Sequence, residues 1–368
     1  MSSETLLHKI AIGLIPGVGP VIAKRIIAYT GSIDGVFSES KNTLMKIPGI
    51  GPQLANSIVE ADVLKRAEKE IGFVEKHNIK TYFYLDSDYP RRLQHCDDAP
   101  IMLYYKGNVD LNEAQMIGFV GTRNATSEGK ENCNKLIEEL SRRNEKTVIV
   151  SGLAFGIDIT AHKAAIKHNL PTIAVLGNGL DKIYPSDHRP TAQEIVKNGA
   201  IITEYMSETK IDRNFFLQRN RIIAGLSDAV VVVESATQGG ALVTAEYANN
   251  YNREVFAVPG RLSDKYSGGC NALIKKNKAA LLQSVADIEY LLGWTTQKNT
   301  EKAQNQLFVV LNEEEQLIVD MLKENKELDI DSINFMLKGT IHKTSVTLLN
   351  LEFKNVVKCL PGKVYVLS

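Results

Sequence analysis

The chain has 368 residues with 43 basic and 43 acidic side chains, so its formal charge balances at zero. Apolar residues at 44% and charged residues at 23% are ordinary for a folded protein, which excludes wholesale disorder, a collagen repeat and a disulfide scaffold. No run approaches the roughly 18 apolar residues of a membrane span, and a balanced charge means that any anion site is local.

The four cysteines, at 96, 133, 270 and 359, are too scattered for a CxxC or zinc pattern, and no HExxH occurs. No metal or other cofactor is expected. Scattered thiols fit a reducing compartment, and the start, MSSETLLHKI, lacks the apolar core and cleavage site of a secretory signal. Both features point to the cytoplasm.

Residues 1–80 read as helices joined by Gly/Pro turns. Ile15-Pro16-Gly17-Val18-Gly19-Pro20 recurs as Ile47-Pro48-Gly49-Ile50-Gly51-Pro52, and each copy leads into a helical pattern. This resembles a tandem helix–hairpin–helix. Such units bind DNA backbone through amides at the helix start, or serve as protein-contact or packing units. Lys24 and Arg25 follow the first hairpin, while Gln53 and Asn56 hold the matching places after the second.

Residues 81–294 read as an α/β core with a mostly parallel, doubly wound sheet. Strands are expected at 116–120, 147–150, 172–176, 200–204, 229–234 and 254–258, preceded by short strands within 81–115. Helical patterns lie at 127–143, 159–168 and 241–250. The run AVVVV at 229–233 suits a strand buried on both faces. A polar linker, 295–306, then leads to 307–368. There, three helices (311–325, 333–337 behind an Asp331-Ser332 cap, and 342–354) precede a hairpin turning at Pro361-Gly362, the pattern of a winged helix. Residues 305–368 hold seven lysines, no arginine and nine acidic side chains. A groove-reading module is usually basic, so protein contact or regulation is expected of this part.

Ligands of doubly wound sheets bind beyond the carboxyl ends of the strands. Gly121-Thr122-Arg123 follows the first long strand, where the arginine fork suits a phosphate; the turn also reads as a tight strand–helix connection with a solvated arginine. Ser151-Gly152-Leu153-Ala154-Phe155-Gly156-Ile157-Asp158 follows the second strand. It lacks the P-loop lysine, and Asp158 reads as a helix cap and His162 as a packing histidine. Gly177-Asn178-Gly179 follows the third strand without the third glycine of a dinucleotide fingerprint. Arg213, Arg219 and Arg221 then flank Phe215-Phe216. Arginine beside aromatic suits single-stranded nucleic acid, cations taking phosphates and a ring taking a base; the same segment also reads as an amphipathic helix with its phenylalanines in the core. Further glycine turns stand at Gly239-Gly240-Ala241 and at Pro259-Gly260.

Together these motifs resemble the DprA/Smf family of DNA-processing proteins. The matching segments are GTR at 121–123, SGLAFGID at 151–158, GNGLDKIYP at 177–185 and ITEY at 202–205. They continue with FxxRNRIIAGLS at 216–227, VVVE at 231–234, GALVTA at 240–245, VFAVPGR at 255–261 and GCNALI at 269–274. The resemblance implies an extended Rossmann-like fold, a homodimer, sequence-independent binding of single-stranded DNA, and loading of a RecA-type recombinase during natural transformation. It implies no enzyme and no membrane partner. The implied DNA-binding set is Gly121, Thr122, Arg123, Ser151, Gly152, Phe155, Gly156, Arg213, Phe216, Arg219, Asn220, Arg221, Gly240 and Ala241. Arg123 would hold a phosphate, Arg213 and Arg219 would flank the strand, Phe216 would contact a base and Asn220 would hydrogen-bond nearby. Leu217 stands where the family pattern usually has proline. An alternative is a small-nucleotide hydrolase on a related sheet, with Glu246 as its base.

Overall fold

The computed structural model describes residues 3–112, 115–144, 146–294 and 311–368; the expected linker at 295–306 lies outside them. A nine-stranded sheet forms the centre. Its strands are β1 (Lys80–Phe83), β2 (Met102–Gly107), β3 (Met116–Gly121), β4 (Val148–Ser151), β5 (Thr172–Val175), β6 (Ala200–Thr203), β7 (Ala229–Glu234), β8 (Glu254–Ala257) and β9 (Ala280–Leu281). They lie in the order β1-β2-β6-β5-β4-β3-β7-β8-β9. From β6 to β9 neighbours are parallel, and β1 and β2 add an antiparallel edge.

Successive residues of the central strands feed opposite layers. Met116 and Val120 of β3 join Val230 and Val232 of β7 in one core, with Ile222 to Leu226, Ala241 and Ala245 from the helices Arg213–Leu226 and Gly240–Asn250. Ile117 and Phe119 join Ala229, Val231 and Val233 in the other, under the helices Ser127–Arg143, Ile157–Lys167 and Val285–Leu292. Apolar side chains on both faces explain why these strands read as unbroken apolar runs.

The topology places the site. From β3 the chain steps outward through β4 and β5 to β6, then returns to lay β7 on the other side of β3. The order reverses between β3 and β7, so a crevice opens beyond their carboxyl ends. The returning segment is the helix Arg213–Leu226, whose first turn lies at that crevice.

The N-terminal helices include Pro20–Thr30 and Pro52–Val59, each entered through a hairpin whose Gly17 or Gly49 has a left-handed φ near +82° or +86°. They share one core with Phe83, Ile101, Met102 and Tyr104 of the β1–β2 edge. The C-terminal part has helices Glu313–Asn325, Ile330–Leu337 and Ile341–Phe353. A short β10 (Glu327–Asp329) precedes the hairpin β11 (Val357–Leu360) and β12 (Val364–Leu367), and the sheet order is β10-β12-β11. The second helix starts earlier than its sequence suggests. Asp329, not Asp331 or Ser332, is the cap, accepting from the Ser332 amide at 2.9 Å.

Candidate functional site

At the β3–β7 crevice lies a groove of about 310 Å³. Its walls come from the β3 loop (Gly121, Thr122, Arg123), the β4 loop (Ala154, Asp158), the first turns of the arginine helix (Arg213, Phe216, Leu217, Arg219, Asn220) and the β7 turn (Ser235 to Ala241, with Thr244). Three helices start here, at Ile157, Arg213 and Gly240. The Arg213 helix is capped by Asp212, which accepts from the Asn214 amide at 2.7 Å, and the Ile157 amide donates to the Thr122 carbonyl at 3.2 Å; the Gly240 helix has no side-chain cap, and its dipole favours an anion.

Arg123 and Arg213 are exposed on this groove. The loop carrying Arg123 is held from below by Glu234 at the end of β7. Its carboxylate accepts from the Thr126 amide at 2.9 Å and the Thr126 hydroxyl at 2.7 Å. Thr126 in turn caps the helix Ser127–Arg143 by accepting from Gly129, and the Thr122 amide donates to the Glu234 carbonyl at 2.7 Å. Glu234 is the residue sequence reasoning missed as an anchor; its signal was a lone acid ending an otherwise apolar strand.

Arg219 reaches the groove from beneath. It is 2% exposed, and its Nη1 donates to the Gly152 carbonyl at 2.7 Å and to the Val175 carbonyl. Burial lowers its pKa to about 10, with Asp158 working against that shift, so it stays charged near neutrality. Asp158 is buried too. Burial raises its pKa, while Arg219 and the amides of Ala154 and Gly152 pull it down. It sits inside the first turn rather than at the cap, which is Gly156. His162 packs as expected, Nδ1 lying 2.7 Å from the Thr172 hydroxyl.

Arg221 departs from its expected place. It is buried on the far side of the helix, bonded to Glu204 at 2.6 Å, and does not line the groove. The helical spacing explains this: two residues from Arg219 is more than half a turn. Ser151 is also turned inward, donating to the Phe119 carbonyl at 2.6 Å. Asn220 lines the groove and donates to the Gly240 carbonyl at 3.2 Å.

The glycines divide into two kinds. A Cβ on Gly152 would lie 2.5 Å from the Arg219 guanidinium, and Gly156 has φ +79° with the Thr122 carbonyl 2.1 Å from where a Cβ would sit. These serve the protein's own packing. A Cβ on Gly240 would meet only Asn220 and Leu217, at 3.6 and 3.9 Å, on the groove wall. The open approach is therefore at the β7 turn.

The hairpin cations are engaged elsewhere. Arg25 donates to the Pro48 carbonyl at 2.7 Å, tying one hairpin to the other. Lys24 donates to the carbonyls of Cys96 and Asp97, and its burial lowers its pKa. Glu246 is exposed and outside the groove, whose one carboxylate is Asp158. Among the described residues no His/Cys/Asp/Glu cluster could hold a metal, and no helix is long and apolar enough to cross a membrane.

Residues 80–293 match the family described as DNA recombination-mediator protein A, and residues 11–61 match the SAM-like helix-hairpin-helix tandem. Protein Smf of Synechocystis is 36% identical over 289 residues, 77% of this chain and 71% of its own. DNA processing protein DprA of Bacillus subtilis is 41% identical over 207 residues, 56% of this chain and 69% of its own. The solved DNA processing protein A of Streptococcus pneumoniae superposes with a TM-score of 0.68 at 32% identity, covering 77% of this chain and 97% of that one. That of Helicobacter pylori, whose structure concerns its single-stranded DNA binding mode, gives 0.53 at 30%, covering 59% of this chain and 96% of that one.

Proposed function

The chain belongs to the DprA/Smf family of DNA recombination-mediator proteins, and from that premise we propose that it binds single-stranded DNA without sequence preference along the β3–β7 groove. Arg123 and Arg213 take successive phosphates, the amides at Gly240 and Ala241 take another, and Phe216 meets a base. Arg219 acts from below, fixing the β4 and β5 loops and lending the groove a buried positive charge. One observation carries this reading: two exposed arginines and the uncapped helix start at Gly240 converge on the topological switch point. The support for a strand rather than a small nucleotide is the pair of exposed rings, Phe155 and Tyr184, beside the groove, and the single-stranded DNA binding of the Helicobacter relative.

In this reading the protein is a cytoplasmic homodimer that hands its strand to a RecA-type recombinase in natural transformation and homologous recombination. The self-contact lies at the β9 edge, where Leu281, Tyr290 and Leu291 are exposed. The hydrolase alternative has no exposed carboxylate in the groove to favour it. A titration of labelled single strand and duplex at two salt concentrations tests the proposal. Wild type should prefer single strand, and Arg123→Ala should weaken binding and lower the salt slope by about one, as for one lost phosphate contact. Equal affinity and slope in the two proteins would reject it.

A further inference from the structure

Beside the groove, rings line up along the carboxyl ends of β4, β5 and β6. Phe155, in the β4 loop, meets His188 edge-on at 4.7 Å. Tyr184, beyond β5, leans on Phe216 at 5.4 Å. Tyr205, beyond β6, stacks on Phe215 at 4.6 Å. A single segment, 184–188, supplies a ring to each of the first two pairs. Phe216 itself lines the groove, and Phe155 adjoins its wall residue Ala154. Tyr184 and Phe155 are 44% and 45% exposed, while their supports His188 and Phe216 are buried or half-buried. His188 is fixed in turn by a 2.7 Å hydrogen bond between its Nδ1 and the Leu153 carbonyl.

Two part-exposed rings, each packed against a neighbouring ring and set beside a cationic groove, have a chemistry of their own. The cations lie on the β3 loop and at the start of the helix Arg213–Leu226, the open amides at the β7 turn, and the rings beyond β4 and β5. A chain crossing this edge meets charge on one side and flat apolar surface on the other. Resting on the single-strand reading above, we propose that Tyr184 and Phe155 form a base-stacking platform, so that the strand lies with its phosphates toward Arg123 and Arg213 and its bases toward these rings. Every base has a π face, so the platform is indifferent to sequence. A duplex keeps its bases stacked inside and cannot use it. The platform is thus the element that selects single strand over duplex, which the arginines alone do not do.

The test uses the full chain with three probes of equal length: a labelled thymidine oligonucleotide, the same backbone with consecutive abasic sites, and a duplex. Wild type should bind the base-bearing strand more tightly than the abasic one. Tyr184→Leu and Phe155→Leu should each weaken binding of the base-bearing strand by about five- to a hundred-fold, the range for one lost stacked base. Neither should alter the abasic affinity or the salt slope, and Tyr184→Phe should lose less than Tyr184→Leu. Leucine keeps an apolar side chain against Phe216 and His188, and melting curves of both variants verify the fold. If wild type prefers single strand yet binds abasic and base-bearing strands alike, or both leucine variants match wild type, the platform is overturned and the strand reading stands. If wild type fails to prefer single strand, both fall together.

Discussion

Arg213 and Arg221 sit on one helix and live in opposite surroundings. Arg213 is exposed at the groove, whereas Arg221 is buried against Glu204. Removing the guanidinium of Arg221 leaves a half-buried carboxylate without its counter-charge, a loss of about 3–5 kcal/mol by the usual behaviour of buried ion pairs. Urea unfolding of Arg221→Ala should show that loss, and the salt slope of DNA binding measured on its folded fraction should match wild type. A slope lowered by about one would instead put Arg221 on phosphate. The sequence places three arginines near an aromatic pair, but it cannot apportion them. Which one meets Glu204, and which the Gly152 and Val175 carbonyls, depends on partners that only the folded sheet brings near.

At the scale of the element, the loops beyond β4 and β7 both look glycine-rich, yet their glycines do different work. Gly152→Ala should lower the melting temperature, because its methyl would collide with the Arg219 guanidinium. Gly240→Ala should leave it nearly unchanged and weaken DNA binding, because its methyl would enter the groove wall. Equal melting losses in both would contradict this division. The six strands from β3 to β8 were legible to within a residue, since runs such as 229–233, buried on both faces, admit few alternatives, whereas the short β9 and β10 were not expected. The start of the helix Ile330–Leu337 was not, because three candidate caps stand close together and only β10 decides for Asp329.

The helix Ile157–Lys167 adds a pH dependence. His162 is fully buried, its Nε2 has no partner, and burial lowers its pKa to about 3, with the charges of Arg219 and His188 adding to the shift. Below the unfolded value near 6.5 the unfolded chain takes up a proton that the folded one refuses, so this stability is complete above about pH 6.5 and drains away toward pH 3. Asp158, with its raised pKa, works in the other direction. The stability of wild type relative to His162→Gln should therefore shrink from about pH 7 to about pH 5. A constant difference would show that His162 charges freely in the fold.

At the scale of the whole molecule, the N-terminal helices are welded to the sheet. Glu70, 1% exposed, accepts from the Ser207 amide and hydroxyl at 2.9 and 2.6 Å and from Arg66 at 2.9 Å. This shared interior is not legible in the sequence, since it joins residues far apart in the chain. The C-terminal hairpin meets the core through Arg253, which donates to the Pro361 carbonyl at 2.9 Å, and through the Gly362 amide, which donates to Asn252. The hairpin cations of the N-terminal part are turned to packing and the C-terminal part is acidic, so the proposed location for a polyanion is the β3–β7 groove with its exposed Arg123 and Arg213. Hydrogen–deuterium exchange of the full chain with and without a single-stranded oligonucleotide tests that location most directly. The account predicts slowed exchange at 121–124, 156–158 and 239–242 on binding; slowing confined to 17–19, 49–51 or the residues beyond 311, with the groove amides unchanged, would contradict it.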